Sequence, residues 1–202
     1  MISHISITRQ FRSLPQASVD LKKLTVVVGD QGAGKSTLLS LISGHIKDPG
    51  LVKLEHDADG QLAYVYYDFE RDNSRVKSHM EDGFGGLFTF ASHFASHGET
   101  AMSVVGELYR QVRDHPGPLL VLLVEPDTSL SPRSIKILSK TVSEIAAMEG
   151  KQVVMSAHNP YLIEDAGDIL VLPKLKWRRA KTWLAAQSKS VPEPEQVFSK
   201  VK

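Results

Sequence analysis

The apolar residues of the chain fall into short β-branched runs and longer stretches with helical spacing. Ile2–Ile7 and Leu21–Val28 predict strands with a loop around Arg9–Ser18 between them. Lys35–Ser43 predicts a helix that ends at Gly44. The other predicted strands are Leu62–Tyr67, Leu119–Val124, Gln152–Ser156 and Ile169–Leu172, and the other predicted helices are Ala101–Val112 and Ser131–Met148. This alternation is typical of an α/β protein with a mostly parallel sheet flanked by helices.

Two segments depart from the alternation. Residues 68 to about 112 are charged at first and then rich in aromatic residues and glycine, which predicts a small, partly helical subdomain. Beyond residue 185 the chain is rich in Ser, Pro, Glu and Lys, so residues 186–202 are predicted to form a flexible tail. The sequence therefore predicts a single domain over residues 1–185.

The composition excludes several classes of protein. The 202 residues are 42% hydrophobic and 23% charged, which is ordinary globular usage and excludes a disordered or coiled-coil chain. Cysteine is absent, so disulfide frameworks, thiolate metal sites and thiol nucleophiles are excluded. No apolar run approaches the roughly 20 residues of a membrane span, and no secretion signal is seen, so we expect a cytoplasmic protein without a membrane partner. The net charge of +1 indicates no overall basic surface, but it is compatible with a local basic patch.

The segment Gly29–Ser36 matches the phosphate-binding pattern G-x-x-x-x-G-K-[ST] and lies between a predicted strand and a predicted helix. Glycines let the backbone turn so that several N–H groups face one phosphate, and the following helix presents its positive end. The ammonium of Lys35 reaches the β- and γ-phosphates, and the hydroxyl of Ser36 can bind Mg²⁺. The predicted nucleotide-binding residues of this P-loop are Gly29, Gln31, Gly32, Ala33, Gly34, Lys35, Ser36 and Thr37.

Chemically useful groups also follow later strands. Glu125 comes directly after Leu119–Val124, where a carboxylate can polarise a water beside a γ-phosphate. His158 follows Gln152–Ser156, and a histidine at the end of an adjacent strand can contact the same phosphate. The turn Ser96–Glu99 lies at the start of a predicted helix, whose N-terminus is a further anion site.

Taken together, these motifs resemble those of the ATP-binding-cassette (ABC) class of P-loop ATPases. The motifs are the P-loop, the turn Ser96–Glu99, Glu125-Pro126 with Leu130-Ser131, and Ala157-His158-Asn159. Ile5-x-Ile7 followed by Phe11-Arg12-Ser13 is similar to the start of the RecF/SMC-like, AAA-type branch. The segment between Lys35 and Ser96 is too short for the coiled-coil arms of that branch, so the resemblance is to a minimal head domain.

The resemblance implies an enzyme that binds ATP with Mg²⁺ between two protomers and hydrolyses it. It makes Glu125 the general base and His158 the γ-phosphate sensor, and it places Arg12 near the nucleotide. The partner is then a second copy or a paired ATPase subunit, whose site is completed by Ser96, Gly98 and Glu99. By analogy with that branch, hydrolysis serves a DNA-related or a defence and maintenance process, with an effector protein as a further partner.

One position departs from the pattern of the class. The strand before Glu125 ends in Val124, where the class has an Asp that holds Mg²⁺ through water, and valine cannot replace it. Asp127 and Asp68 are the two candidate replacements, and we assign Asp68 to the metal with Ser36; its alternative role is to cap the strand end. We therefore expect slow turnover. The alternative function is a hydrolysis-deficient, nucleotide-gated interaction module.

A basic run lies near the end of the predicted domain. Lys174–Lys181 carries five cations in eight residues and is followed by Trp183. Such a cluster can bind DNA or RNA phosphates while Trp177 or Trp183 stacks on bases. The alternative is a basic edge strand with a solvated turn, because edge lysines discourage aggregation.

Overall fold

The computed structural model describes residues 1–56, 63–69 and 97–189, and for residues 97–100 it describes the backbone alone. The described residues form two sheets and the helices that flank them. The strands are β1 Ile2–Ile7, β2 Ala17–Asp20, β3 Leu24–Val28, β4 Val52–His56, β5 Ala63–Asp68, β6 Leu119–Val124, β7 Lys151–Ser156, β8 Asp168–Val171 and β9 Lys176–Arg179. The helices are α1 Lys35–Ile42, α2 His97–Asp114, α3 Pro132–Ala147, α4 Pro160–Asp165 and α5 Ala180–Lys189.

The main sheet has the strand order β5-β6-β7-β3-β8-β9. Its first five strands are parallel, and β9 pairs antiparallel with β8 at the edge. Every residue of β6 and β7 is buried, as continuous apolar strands in the middle of a parallel sheet should be. The predicted α/β fold with a mostly parallel sheet is confirmed. Because the strands are parallel, the carboxyl ends of β3, β5, β6 and β7 meet at one edge, which is where ligands bind in such sheets.

Each face of the main sheet has its own apolar core. Side chains alternate along β6, so Leu119, Val121 and Leu123 pack in one cluster with residues of α2 and α3. Leu120, Leu122 and Val124 pack in the other cluster with residues of α1 and the small sheet. The sheet edge that carries the candidate site is thus held between α1 on one face and the remaining helices on the other.

A small antiparallel sheet of order β2-β1-β4 covers the α1 side. Strand β2 overlaps the end of the predicted loop around Arg9–Ser18, and β4 lies where no strand was predicted. Each strand is short and only partly buried and carries polar residues on its outer face. Gln152 of β7 joins the two sheets: its side chain accepts a hydrogen bond from the backbone N–H of Ile2 and donates one to the Ile2 carbonyl, both at 2.8 Å.

Helix α3 begins and ends close to its predicted limits, because Ser131 caps its first turn and Pro132 occupies the first helical position. Helices α4 and α5 were not predicted, and α5 continues through residues 186–189, so the predicted tail does not start at residue 186. Residues 190–202, and residues 70–96 of the predicted subdomain, lie outside the described residues. No described helix is long and apolar enough to cross a membrane.

Candidate nucleotide-binding site

The P-loop connects β3 to α1 at the carboxyl edge of the main sheet. Gly32 has φ +77° and Gly34 has φ +97°, a region that residues with a Cβ rarely adopt. Gly34 also has no room for a larger side chain, because an added Cβ would lie 2.8 Å from Cδ2 of the buried Leu14. The loop conformation therefore depends on Gly34, which the motif specifies, and on Gly32, which occupies one of the variable positions of the motif.

Lys35 is buried at the centre of the loop. Its Nζ donates hydrogen bonds to the carbonyl oxygens of Gly29 at 3.0 Å and Asp30 at 3.2 Å. Burial lowers the pKa of Lys35, while the nearby carboxylates of Glu125, Asp30 and Asp127 oppose this shift. Among the described residues Lys35 makes no salt bridge, so the ammonium is held by neutral carbonyls and is suited to an incoming anion.

The turn Phe11–Leu14 packs against the P-loop. The backbones of Phe11 and Leu14 pair through two hydrogen bonds of 2.9 Å, and Ser13 Oγ donates to the Gly32 carbonyl. Arg12, at φ +52°, places its guanidinium 5.3 Å from the centre of the Phe11 ring. Arg12 and Ser13 both line the cavity over the loop, so the structure brings the predicted Arg12 to the site, together with Ser13, which was not predicted.

Glu125 and His158 lie side by side at the ends of β6 and β7. Glu125 Oε1 is 2.9 Å from His158 Nε2. The Glu125 backbone has φ +51°, and its N–H donates to the buried Ser156 Oγ at 3.0 Å. A non-glycine residue in this conformation is strained, and such strain is concentrated at functional sites. Ser156 was missed by the sequence analysis, because only the pairing of β6 with β7 shows that it faces this turn.

One open cavity of about 660 Å³ joins these elements. Its volume lies in the range typical of small-ligand sites, about 300–1,000 Å³. The residues that line it are Arg12, Ser13, Gly29, Asp30, Gln31, Gly32, Gly34, Lys35, Ser36, Thr37, Glu125 and His158. Ala33 is the exception among the predicted P-loop residues: its side chain is buried in the apolar core and its N–H donates to the Asp30 carbonyl.

Asp68 and Val124 are register partners at the ends of the neighbouring parallel strands β5 and β6. Paired residues point to the same face of a sheet, and Val124 packs in the core on the α1 side, so Asp68 faces α1 as well. Asp68 is buried. Asp127 is directed elsewhere, because its Oδ2 accepts hydrogen bonds from the backbone N–H groups of His158 at 2.7 Å and Asn159 at 2.5 Å.

The donor groups at this edge fit Mg²⁺ bound together with phosphate. No cluster of three or more metal-binding side chains occurs among the described residues. Magnesium requires no such cluster, since it is usually held by one or two protein ligands together with substrate phosphates and water. The exposed hydroxyl of Ser36 and the carboxylate of Glu125 both face the cavity.

Two further predicted regions are the turn Ser96–Glu99 and the basic run Lys174–Lys181. Gly98 and Glu99 lie in the first turn of α2 with side chains outside the description, and Ser96 lies outside the described residues. Residues Lys176–Arg179 of the basic run form the edge strand β9, as the alternative interpretation predicted, and Lys181 lies in α5. Trp177 is partly buried against the core on the α1 side; its Nε1 donates to the Asp20 carbonyl at 2.9 Å, and Lys22 Nζ lies 4.4 Å from its ring centre.

The described residues have the α/β fold of P-loop NTPases of the ABC ATPase type. The family model described as ABC transporter matches residues 15–113, which include the P-loop and most of α2. Proteins of this class bind ATP together with Mg²⁺ and hydrolyse it. These matches do not distinguish the RecF/SMC-like branch.

Among sequence relatives, the phosphonates import ATP-binding protein PhnC 1 of Natronomonas pharaonis is 27% identical, over 83% of this chain and 87% of its own length. A solved structure described as a dimeric post-hydrolysis state of an ATP-binding cassette with ADP and Pi aligns at TM-score 0.59 and 14% identity, over 89% of this chain and 99% of its own. An inward-facing putative metal-chelate type ABC transporter aligns at TM-score 0.60 and 18% identity, over 90% and 85%. At these identities the structures establish the fold.

Proposed function

We propose that this chain binds Mg-ATP in the 660 Å³ cavity and hydrolyses the γ-phosphate bond. The observation that carries the proposal is the convergence of three groups on that cavity: the ammonium of Lys35, the carboxylate of Glu125 and the imidazole of His158. The 2.9 Å contact between Glu125 and His158 supports a joint role, because a base oriented by a second group is the usual arrangement for activating water.

Each residue then has a defined task. The N–H groups of the P-loop and Lys35 bind the phosphates and offset their charge. Glu125 accepts a proton from the attacking water, and His158 orients Glu125 and donates a hydrogen bond to the γ-phosphate. When bound, Mg²⁺ neutralises charge on the β- and γ-phosphates. Arg12, on the turn that packs against Gly32, lines the same cavity and contacts the nucleotide there.

We propose slow turnover, with Asp68 as the carboxylate beside the metal. Val124 offers no oxygen at the position where the class has its aspartate. Asp68 occupies the paired position on the next strand, about 4.8 Å away, and faces the same side of the sheet. Substitution Asp68→Asn is expected to raise the Mg²⁺ concentration needed for half-maximal ATP binding and to leave binding of metal-free nucleotide unchanged. An unchanged Mg²⁺ requirement contradicts this assignment.

The proposed active form is a dimer that closes around ATP, in which Ser96, Gly98 and Glu99 of one protomer complete the other's site. Support comes from the dimeric cassette structure with which the fold aligns and from the position of Gly98 and Glu99 in the first turn of α2. Light scattering with Mg-ATP, and with Glu125→Gln to prevent hydrolysis, tests this proposal. A monomer under both conditions contradicts it.

The test of the catalytic proposal is phosphate release by the wild type and by Glu125→Gln at equal ATP occupancy. We expect Mg²⁺-dependent release by the wild type and background release by the variant. Glu164→Gln, an exposed carboxylate on α4, is the matched control and is expected to behave as the wild type. Background release by both the wild type and Glu125→Gln would contradict hydrolysis and favour the second candidate function, a nucleotide-gated interaction module. The observation that favours this second function is Val124, which replaces the aspartate of the class.

The process that hydrolysis drives has two candidates. The name of the Natronomonas relative favours an import system and therefore a membrane partner, contrary to the sequence expectation. The DNA-related alternative depends on the basic edge strand, where Lys174, Lys176 and Arg178 are exposed, while Arg179 and Lys181 pair with Asp168 and Glu164. Salt-dependent DNA binding that is lost in Lys176→Glu/Arg178→Glu would favour the second candidate. Absence of DNA binding removes it.

A further inference from the structure

Asp127 is a buried acidic residue, only 7% exposed, in the connection between β6 and α3. Its Oδ2 accepts two backbone hydrogen bonds, from the N–H of His158 at 2.7 Å and from the N–H of Asn159 at 2.5 Å. Its Oδ1 has no hydrogen-bond partner among the described residues. Both side-chain hydrogen bonds of Asp127 therefore go to the segment that carries His158.

That segment has few other restraints. The sheet ladder reaches only Ala157, whose N–H donates to the Val27 carbonyl at 3.1 Å. Helix α4 begins beyond it, where Asn159 Oδ1 accepts from the Tyr161 N–H at 3.0 Å. The N–H groups of His158 and Asn159 lie between the ladder and the helix, and the carboxylate of Asp127 satisfies both of them.

We infer that Asp127 is a positioning residue that fixes the backbone of His158, so that the imidazole stays against Glu125. The turn that starts at Glu125 thus holds the histidine twice, through the Glu125 side chain on the ring and through Asp127 on the backbone. The effect of Asp127 on catalysis rests on the proposed hydrolytic function. The effect of Asp127 on the His158 backbone rests only on the observed hydrogen bonds.

The competing role for Asp127 is that of the missing metal-side carboxylate. The two roles make different demands on the side chain. Fixing the backbone requires an acceptor oxygen, which Asn supplies as well as Asp. A metal-side role requires negative charge, which Asn lacks. Substitutions Asp127→Asn and Asp127→Ala therefore separate the two roles.

The first measurement is amide hydrogen exchange of residues 158 and 159 by NMR in the nucleotide-free protein. We expect wild-type protection in Asp127→Asn and exchange faster by about 10- to 100-fold in Asp127→Ala, the loss of a hydrogen bond to a charged acceptor. The matched control is Asp165→Asn, an exposed carboxylate on α4, with wild-type protection. Unchanged protection in Asp127→Ala overturns the inference whether or not the protein hydrolyses ATP.

The second measurement is phosphate release as a function of Mg²⁺. We expect Asp127→Ala to lower kcat by about 10-fold or more. We expect Asp127→Asn to restore most of it, with the wild-type Mg²⁺ requirement in both variants. Equal loss in the two variants together with a raised Mg²⁺ requirement assigns Asp127 to the metal and overturns the positioning role. If Asp127→Ala does not fold, Asp127→Asn alone decides, since the positioning role predicts retained turnover and the metal-side role predicts its loss.

Discussion

Gly34→Ala perturbs the P-loop at the point where the loop becomes helix α1. Gly34 has φ +97°, in the left-handed region, and it is the N-terminal capping residue of α1. The new Cβ would lie 2.8 Å from Cδ2 and 3.0 Å from Cγ of Leu14. Leu14 is completely buried in the core and cannot move aside freely.

The expected cost has two parts. The left-handed conformation of a residue with a Cβ costs about 1–2 kcal/mol. Forcing a methyl group into the packed environment of Leu14 costs about 1–3 kcal/mol more. The free energy of unfolding should therefore fall by about 2–5 kcal/mol, a large fraction of a typical domain's 5–15 kcal/mol.

Gly32→Ala is the matched control within the same loop. Gly32 has φ +77° but no atom within 4 Å of an added Cβ, so only the conformational cost of about 1–2 kcal/mol applies. Urea unfolding of both variants in the nucleotide-free protein should show Gly34→Ala to be the less stable by about 1–3 kcal/mol. Combining Gly34→Ala with Leu14→Ala should cost less than the sum of the two single changes, because the smaller residue removes the clash.

Equal destabilisation of the two glycine variants, or costs that add within about 0.5 kcal/mol in the double variant, would refute the proposed contact between Gly34 and Leu14. The first outcome means that the added methyl group meets no resistance. The second means that Leu14 and residue 34 do not interact.

Three further predictions concern Lys35 and Gln152. Lys35→Met is expected to weaken ATP binding by about 10- to 100-fold without lowering the free energy of unfolding, because the buried ammonium is costly without its phosphate. Burial lowers the pKa of Lys35, so the folded protein loses this proton at a lower pH than the unfolded chain does. The free energy of unfolding of the wild type should therefore rise as the pH rises from the lowered pKa towards the ordinary value of 10.5. Thermal unfolding measured against pH should show this rise in stability in the wild type and not in Lys35→Met. Gln152→Leu leaves the N–H and carbonyl of Ile2 unsatisfied at the junction of the sheets and should cost about 2–5 kcal/mol in urea unfolding, whereas a loss below about 0.5 kcal/mol contradicts the bridging role.

The main sheet and the P-loop were predictable because their signals are local. Leu119–Val124 is continuously apolar, and Gly29–Ser36 carries its motif in consecutive residues. Strands β2 and β4 were not predictable, because they are short and half-polar and are fixed by pairing with β1. The contacts of Trp177 with the Asp20 carbonyl and with Lys22 were not predictable either, because they join parts of the chain that are far apart in sequence.

Some residues of the candidate site were predictable from the sequence and others were not. Lys35, Glu125 and His158 follow strand ends, and a parallel sheet brings such ends together, so their convergence could be expected from the sequence. The roles of Ser156 and Asp127 depend on which strand lies beside β6 and on where the His158 backbone turns. Those are three-dimensional facts without a sequence motif.

The measurement that tests hydrolysis at this cavity most directly is the identity of the nucleotide recovered from the protein after a single-turnover incubation with Mg-ATP. The wild type should yield ADP and phosphate, and Glu125→Gln should yield intact ATP at the same occupancy. Intact ATP recovered from both proteins would contradict the catalytic role of Glu125 and leave a nucleotide-binding protein without hydrolysis. ADP recovered equally from both would show that another group activates the water.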